Sequence, residues 1–291
     1  MKQRFLRPAI LLLLAFALLI LPGCELLDTL LYEDSPILAD SSGLQLHFLD
    51  VGQADATLIL SDGEAMLIDG GNVADSSFIY AYLEKYKIDY LDYIICTHAH
   101  EDHVGGLAGA LNYAEAGTVF CPVNDYDSKA FQSFVKYVEQ QGLDLTKPVV
   151  GERFTLGGAQ FDILGPVEDY EDANNTSISI KLTYGEHSFL FTGDAEREAE
   201  TAMLEAGTDV SCTLLHVGHH GSYTSTSYRF LYEANPKYAI ISCGEDNSYG
   251  HPHEEVTSRL ADANVEVFRT DLSGTIVCTS NGKELMFSFE K

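Results

Sequence analysis

The sequence predicts a layered α/β fold in which short strands alternate with helices along one large domain. Short apolar, β-prone runs recur towards both ends of the domain, and turn residues such as Ser61-Asp62-Gly63 separate them. Amphipathic runs of helical spacing lie between the strands, for example residues 128–141, which Gly142 ends. Strands interleaved with helices on two sides favour a layered architecture, although this pattern alone does not fix the number of layers.

The first half of the domain begins with strands and continues as alternating strands and helices. Alternating or continuous apolar residues define the strands, and a helical apolar period defines the helices. In chain order we predict strands at 44–49, 57–60 and 65–68, a helix at 75–86, a strand ending at Cys96, a helix at 107–113, a strand at 118–121 and a helix at 128–141.

The second half repeats this style. Gly207 marks the end of its first helix, since glycine is common just after a helix. In chain order we predict strands at 160–164, 177–183 and 188–191, a helix at 195–205, a strand at 212–216, a helix at 226–233, a strand at 238–241, a helix at 253–262 and strands at 265–268, 275–279 and 284–289.

Residues 1–23 have the features of a secretion signal. A basic start precedes the apolar run 9–21, which is shorter than the roughly 20 residues of a membrane span. The run ends in Leu21-Pro22-Gly23-Cys24, which resembles the lipobox of bacterial lipoproteins and implies lipidation of Cys24. We therefore expect the mature protein at the extracellular face of the bacterial cytoplasmic membrane, held by its lipid anchor only. The alternative, an uncleaved amino-terminal anchor, would also place the mature domain on the extracellular side of the membrane.

Residues 24–43 are predicted to be a flexible tether, because acids mixed with leucines are followed by Ser35-Pro36 and Ser41-Ser42-Gly43. Residues 44–291 are long enough for one domain with a sizeable core. The five cysteines after Cys24 do not have the spacing of a disulfide framework or of a Cys-x-x-Cys zinc site, and we expect buried thiols.

The formal net charge is −27, and the chain has only 17 lysine and arginine residues. Binding to duplex nucleic acid depends on many basic contacts to phosphates, so a duplex is not expected as a tight partner. Bound metal ions would supply local positive charge, so nucleic acid remains possible as a substrate.

The strongest chemical signal is the segment Thr97-His-Ala-His-Glu-Asp-His-Val-Gly-Gly106, which follows a predicted strand. His98 and His100 are two residues apart, so on an extended chain they point the same way and can share one metal ion. If the chain turns into a helix at Asp102, that carboxylate and His103 project elsewhere and can hold a second ion.

Three other predicted strands also end in polar residues, where loop chemistry is usually found. Asp69 follows one strand, Asp194 follows another, and His219 and His220 follow a third. Each alone is compatible with a capping or turn residue. Together with the segment 97–106, they indicate a shared site.

These segments together resemble the metallo-β-lactamase superfamily over nearly all of residues 44–291. Within that superfamily, the resemblance extends to the extracellular hydrolase domain of ComEC-type competence proteins and their stand-alone relatives. It implies a four-layer αββα sandwich with a dinuclear metal site at one edge. The blocks that carry it are Phe48-Leu-Asp-Val-Gly-Gln-Ala-Asp55, Leu67-Ile-Asp-Gly-Gly71, Thr97–Gly106, Asn174-Asn-Thr-Ser177, Phe191-Thr-Gly-Asp194, His219-His-Gly-Ser222 and Ser248-Tyr-Gly-His-Pro252.

The resemblance implies two divalent ions, zinc or manganese. His98 and His100 would bind one ion, Asp102 and His103 the other, and Asp194 would bridge them. One of the paired histidines would complete the second site, and His220 is favoured over His219. The residues expected around these ligands or against the substrate are Asp69, Gln53, Asp55, Asn174, Ser177 and Ser222.

One departure from the superfamily concerns the site of His98 and His100. Members with two full sites add a third histidine between the cluster and the bridging aspartate. Here that interval contains only His187, in a predicted hairpin turn, and the corresponding block is 174–177. Three interpretations stay open: weak binding at this site, a water ligand, or a preference for manganese over zinc.

The function that follows is a lipid-anchored extracellular phosphodiesterase using a hydroxide generated on the metal ions. Asp102 is counted among the catalytic residues, and His219 and His251 are candidates for protonating the leaving group. Competence-type relatives suggest single-stranded DNA, and the similar phosphorylcholine esterases suggest a cell-wall phosphodiester. The acidity of the chain slightly favours a small or wall-linked substrate. The alternatives are a surface binding or scaffold protein with a residual metal site, and a lactam or lactone hydrolase.

Overall fold

The computed structural model describes residues 43–291 as two β-sheets packed face to face with helices on their outer sides. The predicted signal segment 1–23, the lipidation site Cys24 and almost all of the predicted tether 24–43 lie outside the described residues. Between residues 43 and 291, none of the helices combines the length and the apolar character needed to cross a bilayer.

Fifteen strands are found in the described part of the chain. They are β1 (Leu44–Phe48), β2 (Thr57–Ser61), β3 (Glu64–Ile68), β4 (Tyr90–Ile95), β5 (Glu115–Phe120), β6 (Leu145–Thr146), β7 (Arg153–Leu156), β8 (Ala159–Gly165), β9 (Ser179–Tyr184), β10 (His187–Phe191), β11 (Leu214–His216), β12 (Tyr238–Ile241), β13 (Glu266–Arg269), β14 (Ile276–Ser280) and β15 (Leu285–Phe289).

The helices, apart from 3-10 turns, follow in the same order. They are α1 (Ser76–Tyr86), α2 (Glu101–Val104), α3 (Leu107–Tyr113), α4 (Lys129–Gln140), α5 (Arg197–Glu205), α6 (Tyr228–Ala234), α7 (Glu254–Asp262) and α8 (Thr270–Ser273).

Each sheet combines an antiparallel part with a parallel part. The first has the order β15-β14-β1-β2-β3-β4-β5-β6, and its strands are parallel from β3 to β6. The second has the order β13-β12-β11-β10-β9-β8-β7, and its strands are parallel from β13 to β10. Parallel strands place their carboxyl ends at one edge, where α/β proteins usually bind ligands.

The main core lies between the two sheets. Met66 and Ile68 of β3 and Phe189 and Phe191 of β10 belong to it, whereas the intervening Leu67 and Leu190 are buried on the opposite faces, as strand alternation requires. On the outer face of the second sheet, Leu190 packs with residues of α5, α6 and α7. On the first sheet α3 contacts α1, α4 and the strand β5. The result is the predicted four-layer αββα sandwich.

The structure confirms the predicted strands and helices, with ends that differ by a few residues. It adds β6, β7 and α8, which are too short to give a periodic pattern. The predicted strand 118–121 is longer at its start, because β5 begins at Glu115. The five cysteines after Cys24 are buried and free, as predicted.

Candidate metal centre

The predicted site residues follow the carboxyl ends of parallel strands in both sheets. Asp69 follows β3 and the segment 97–103 follows the adjacent strand β4. In the facing sheet, Asp194 lies just beyond β10, and His219 and His220 lie beyond the adjacent β11. The fold therefore brings four segments distant in sequence to one edge of the sandwich.

Asp69 fixes the start of the histidine cluster. Its Oδ1 accepts a hydrogen bond of 2.8 Å from the Thr97 backbone N–H, and its Oδ2 accepts one of 2.6 Å from Thr97 Oγ1. His103 Nδ1 donates to the same Oδ2 at 2.8 Å, which leaves His103 Nε2 free to face the site. Burial raises the pKa of Asp69, against the opposing effect of His103.

The cluster itself changes from extended chain to helix where the two ligand pairs divide. His100 is the extended residue before α2, which begins at Glu101. His98 Nε2 and His100 Nδ1 therefore lie together, 3.0 Å apart, while Asp102 and His103 project from the helix. The sequence-based expectation of a helical turn at this point is confirmed. Close packing needs Gly106, because a Cβ there would overlap the Gly70 carbonyl.

Asp194 lies between two groups of imidazoles and offers one oxygen to each. Its Oδ1 is 3.3 Å from His103 Nε2 and 3.9 Å from His220 Nε2. Its Oδ2 is 3.8 Å from His98 Nε2 and 3.5 Å from His219 Nε2. Burial alone would raise the pKa of Asp194, but His103 and His220 outweigh it and hold the pKa well below its usual range.

Hydrogen-bond acceptors lie next to Nδ1 of His220, on the side of the ring away from the site. Its Nδ1 donates to the Ser242 carbonyl at 3.2 Å and lies 3.3 Å from Asp55 Oδ1. Its Nε2 consequently faces the site and lies 3.4 Å from Asp102 Oδ2. A buried carboxylate thus stands behind His220 as Asp69 does behind His103, an arrangement typical of metal-bound histidine.

The donor set fits divalent metal ions. Among the described residues, His103 Nε2, Asp194 Oδ1 and His220 Nε2 are buried and have no hydrogen-bond partner, which is costly unless a ligand satisfies them. Two ligand atoms about 2.1 Å from one tetrahedral ion lie about 3.4 Å apart. The separations of 3.3 to 3.9 Å around Asp194 agree with that spacing better than with charge-assisted hydrogen bonds of about 2.8 Å.

Among the described residues, the donors fall into three overlapping sets of close ligand atoms. They are His98, His103 and Asp194; Asp102, His103 and His220; and Asp55, Asp69 and His103. Imidazole and carboxylate ligands accept zinc and manganese alike. The arrangement can therefore hold metal ions.

Ser177 and Gly193 position Asp194. Ser177 Oγ accepts a hydrogen bond of 3.0 Å from the Asp194 backbone N–H and lies 3.4 Å from His98 Nδ1. Gly193 has φ +51°, and a Cβ there would lie 2.9 Å from Thr97 Cβ and 3.0 Å from Ser177 Oγ. The turn before Asp194 therefore requires glycine both for its conformation and for space.

Gln53 connects the first sheet to His251 beside the cavity. Gln53 Oε1 accepts a hydrogen bond of 3.1 Å from the Gly244 backbone N–H, which orients the amide. Gln53 Nε2 then donates to His251 Nδ1 at 3.1 Å, so neutral His251 carries its proton on Nε2. Burial, and next the neighbouring His220, lower the pKa of His251 to about 4.

A cavity of about 370 Å³ opens over these groups. Its walls include His100, Asp102, Asp194, His219, Tyr249 and His251. Asn174 also borders it and donates from Nδ2 to Glu196 Oε1 at 3.5 Å. The site is thus open to a substrate on one side.

Of the remaining residues considered in the sequence, Ser222 lies close to the site and His187 lies away from it. Ser222 Oγ is 2.9 Å from Thr224 Oγ1, which in turn is 3.3 Å from His219 Nδ1. His187 starts β10, at the opposite end from Asp194, and bonds Ser280 Oγ. Its predicted hairpin location is confirmed.

Glu196 was not singled out from the sequence. Its Oε1 lies 3.4 Å from His219 Nδ1, so it stands behind His219 on the side away from Asp194. Its only sequence signal is its place two residues after Asp194, which is weak because acidic residues are common at helix starts.

Comparison with known families agrees with this geometry. A model of the metallo-beta-lactamase superfamily matches residues 49–245. ComE operon protein 3 of Bacillus subtilis is 29% identical over 255 residues, which cover 81% of this chain and 33% of that protein. Recombination protein 2 of Haemophilus influenzae is 33% identical over 239 residues, which cover 80% of this chain and 28% of that protein. The chain spans about a third of the length of the curated relatives it matches.

The fold is also found among solved structures. The metallo-beta-lactamase fold protein YhfI from Bacillus subtilis matches with a TM-score of 0.55, covering 82% of this chain and 100% of that chain. The sequences are 17% identical, so this likeness concerns the fold alone.

Proposed function

Because the chain belongs to the metallo-beta-lactamase superfamily, whose members include metal-dependent hydrolases, we propose that it is a phosphodiesterase with two divalent ions, zinc or manganese. The observation that supports this most directly is the placement of Asp194. Each of its oxygens faces a different pair of imidazole nitrogens at the spacing of ligands that share an ion.

Two ions in such a centre lower the pKa of water and stabilise charge on a phosphoryl oxygen. The chain's own residues position the ions and the reacting groups. Asp69 orients His103 through Nδ1, and the Ser242 carbonyl, with Asp55 beside it, orients His220 in the same way, so that both Nε2 atoms face the site. Asp102 lies 3.4 Å from His220 Nε2 and borders the cavity, where it is placed both as a ligand and against the substrate.

We assign to His251 a hydrogen bond to the leaving oxygen. The hydrogen bond from Gln53 occupies its Nδ1, so the Nε2–H of the neutral ring is available to stabilise the negative charge that develops on that oxygen. The proton that the leaving group finally takes up comes from water. A positioned hydrogen-bond donor of this kind contributes about 10²- to 10³-fold to a rate.

The substrate that we favour is a single-stranded nucleic acid. The relative in Haemophilus influenzae is named for recombination, a process that acts on DNA. Tyr249 borders the cavity with 67% of its surface exposed, and an exposed ring can stack on a base. Among the described residues that line the cavity none is lysine or arginine, so phosphate binding would depend on the ions.

Hydrolysis of bis(p-nitrophenyl) phosphate by protein loaded with manganese or zinc tests the proposal. Turnover that requires the metal supports it, whereas protein that binds metal and shows no turnover with either ion would refute it. A single-stranded oligonucleotide, p-nitrophenyl phosphorylcholine and nitrocefin, assayed in parallel, separate nucleic-acid, wall-type and lactam substrates.

The proposal also places the enzyme outside the cell, anchored through a lipid on Cys24. The support is the lipobox-like sequence Leu21-Pro22-Gly23-Cys24 after an apolar run. Incorporation of labelled palmitate into the wild-type chain, and its loss in Cys24→Ala, is the expected result. Equal labelling of both chains, or of neither, would contradict it.

A further inference from the structure

We propose that His219 is the third imidazole of the metal site begun by His98 and His100, so that the adjacent residues His219 and His220 serve one ion each. This inference rests on the two-ion centre of the proposed function. It assigns a ligand to the position for which the superfamily's third histidine is missing from the sequence.

The first support is the division of imidazoles between the two oxygens of Asp194. His219 Nε2 lies 3.5 Å from Oδ2, and His98 Nε2 lies 3.8 Å from that same oxygen. His220 Nε2 lies instead near Oδ1, at 3.9 Å, together with His103 Nε2 at 3.3 Å. His219 and His98 thus face the same oxygen of Asp194 at a separation near the roughly 3.4 Å of two ligand atoms on one tetrahedral ion, whereas His220 faces the other oxygen.

The second support is the group behind the ring. Glu196 Oε1 lies 3.4 Å from His219 Nδ1, and Thr224 Oγ1 lies 3.3 Å from it. His103 has Asp69 in this position and His220 has Asp55. All three rings thus have an acidic group at Nδ1 and turn Nε2 towards Asp194, as metal-bound histidines with carboxylate partners do.

The backbone explains how two neighbouring side chains reach opposite oxygens. His219 has φ 52° and ψ 47°, and His220 has φ 53° and ψ 22°, which is the left-handed region that residues with a side chain rarely adopt. The His219 backbone N–H donates to the Gly193 carbonyl at 3.1 Å, and the His219 carbonyl accepts from the Ser222 N–H at 2.8 Å. Such conformations persist where the surroundings fix them, and they cluster at functional sites.

Asn174 connects this arrangement to the missing histidine. It lies in the block 174–177, which occupies the place of that histidine in the chain, and its Nδ2 donates to Glu196 Oε1 at 3.5 Å. Asn174 therefore holds Glu196, and Glu196 stands behind His219. The imidazole that the block lacks is thus supplied by His219, next to the same carboxylate.

Metal titration of the full chain tests the inference without reference to catalysis. We expect two ions per wild-type chain in calorimetric titrations with manganese and with zinc, checked by elemental analysis. His219→Ala should retain one ion with near wild-type affinity and bind the other about 10- to 100-fold more weakly. His187→Ala removes a histidine distant from Asp194 and should leave both affinities unchanged.

Glu196→Gln is the second variant, since it keeps His219 and the shape of the side chain. It should lower the affinity for the same ion about 10-fold and leave the affinity for the other ion unchanged. This variant decides the matter if His219→Ala does not fold, as judged by circular dichroism.

If both variants bind two ions with wild-type affinity, the inference is overturned. If His219→Ala then also loses turnover, His219 acts as a proton donor instead of a ligand. A wild-type chain that binds a single ion would also overturn it. A wild-type chain that binds two ions without hydrolysing any phosphodiester would refute the proposed function alone.

Discussion

Asp69 and His103 are joined by a hydrogen bond of 2.8 Å between His103 Nδ1 and Asp69 Oδ2, although they are 34 residues apart in sequence. Both side chains are buried, and Thr97 donates to the same carboxylate through its backbone N–H and its hydroxyl. One carboxylate thus orients the start of the histidine cluster and one of its rings. The ligand geometry depends on this residue, although it is not among the described residues that line the cavity.

Asp69→Asn should therefore weaken metal binding although Asp69 is not expected to be a ligand. An amide cannot accept all three hydrogen bonds with the strength of a carboxylate, so His103 loses its orientation. We expect metal affinity to fall about 10- to 100-fold in calorimetric titration. Asp127→Asn, at an exposed position, is the matched control, and equal affinities in the two variants would show that Asp69 does not orient the ligands.

His251 should matter most for substrates with poor leaving groups. Removal of the Nε2–H hydrogen-bond donor in His251→Ala should slow hydrolysis of a dinucleotide by about 10²-fold or more. The rate with bis(p-nitrophenyl) phosphate should fall much less, because p-nitrophenolate is a stable leaving group that needs little help from a hydrogen bond. Gln53→Leu should show the same pattern more weakly, with KM nearly unchanged. Equal losses on both substrates would mean that His251 binds substrate rather than stabilising the leaving group.

Salt should accelerate the hydrolysis of single strands. The chain has a net charge of −27, so a polyanionic strand is repelled at low ionic strength, and added salt screens that repulsion. Initial rates at sub-saturating oligonucleotide should rise between about 20 and 200 mM sodium chloride, whereas rates on a small phosphodiester should stay nearly constant. A steep fall with salt, as for basic nucleic-acid-binding proteins, would contradict this electrostatic account.

Gly193→Ala should destabilise the protein more than Gly207→Ala. Both glycines have positive φ, +51° and +74°, so alanine is strained at either position. Around Gly207 there is free space within the described residues, whereas a Cβ at Gly193 meets Thr97 and Ser177. In urea unfolding, we expect an extra loss of about 1–3 kcal/mol for Gly193→Ala. Equal losses would mean that the turn before Asp194 is not tightly packed.

His47 should make the fold sensitive to mild acid. It is buried and bonds Tyr82 Oη at 2.7 Å, and burial, with a smaller effect of Lys85, lowers its pKa to about 4. Its pKa in the unfolded chain is about 6.5, so below that pH the unfolded chain binds the extra proton and stability falls until about pH 4. Between pH 7 and pH 5 the contribution is about 2 kcal/mol.

Urea unfolding at both pH values, compared between wild type and His47→Gln, measures this contribution. The wild-type chain should lose about 2 kcal/mol more than the variant on going from pH 7 to pH 5. Identical pH dependence in the two chains would place the acid sensitivity elsewhere.

Much of the fold could be predicted from the sequence, because its long elements have clear periods. The apolar alternation of 44–49 and the helical period of 128–141 correspond to β1 and α4. The edge strand β6 has two residues and β7 has four, with part of each exposed, so neither carries a pattern. Pairing with a neighbouring strand, rather than local preference, makes them strands.

The site was predictable in composition but not in detail. Crowded histidines and aspartates at strand ends identify Asp194 and the segment 97–103 as neighbours in a metal centre. The family resemblance implies that one of His219 and His220 is a ligand, and it favours His220. In the structure both residues have left-handed backbone conformations, which turn both imidazoles towards Asp194. Nothing in the local sequence indicates this conformation. Glu196 can be recognised as a residue of the site only when the position of His219 is known.

The most direct measurement for the central claim is the metal content of the wild-type chain and of Asp194→Asn after loading with zinc or manganese and desalting. If Asp194 lies between two ions, the wild-type chain holds two per molecule, and the variant, which stays folded by circular dichroism, loses most of both. An Asp194→Asn chain that retains two tightly bound ions, or a wild-type chain that binds none, would contradict the two-ion centre.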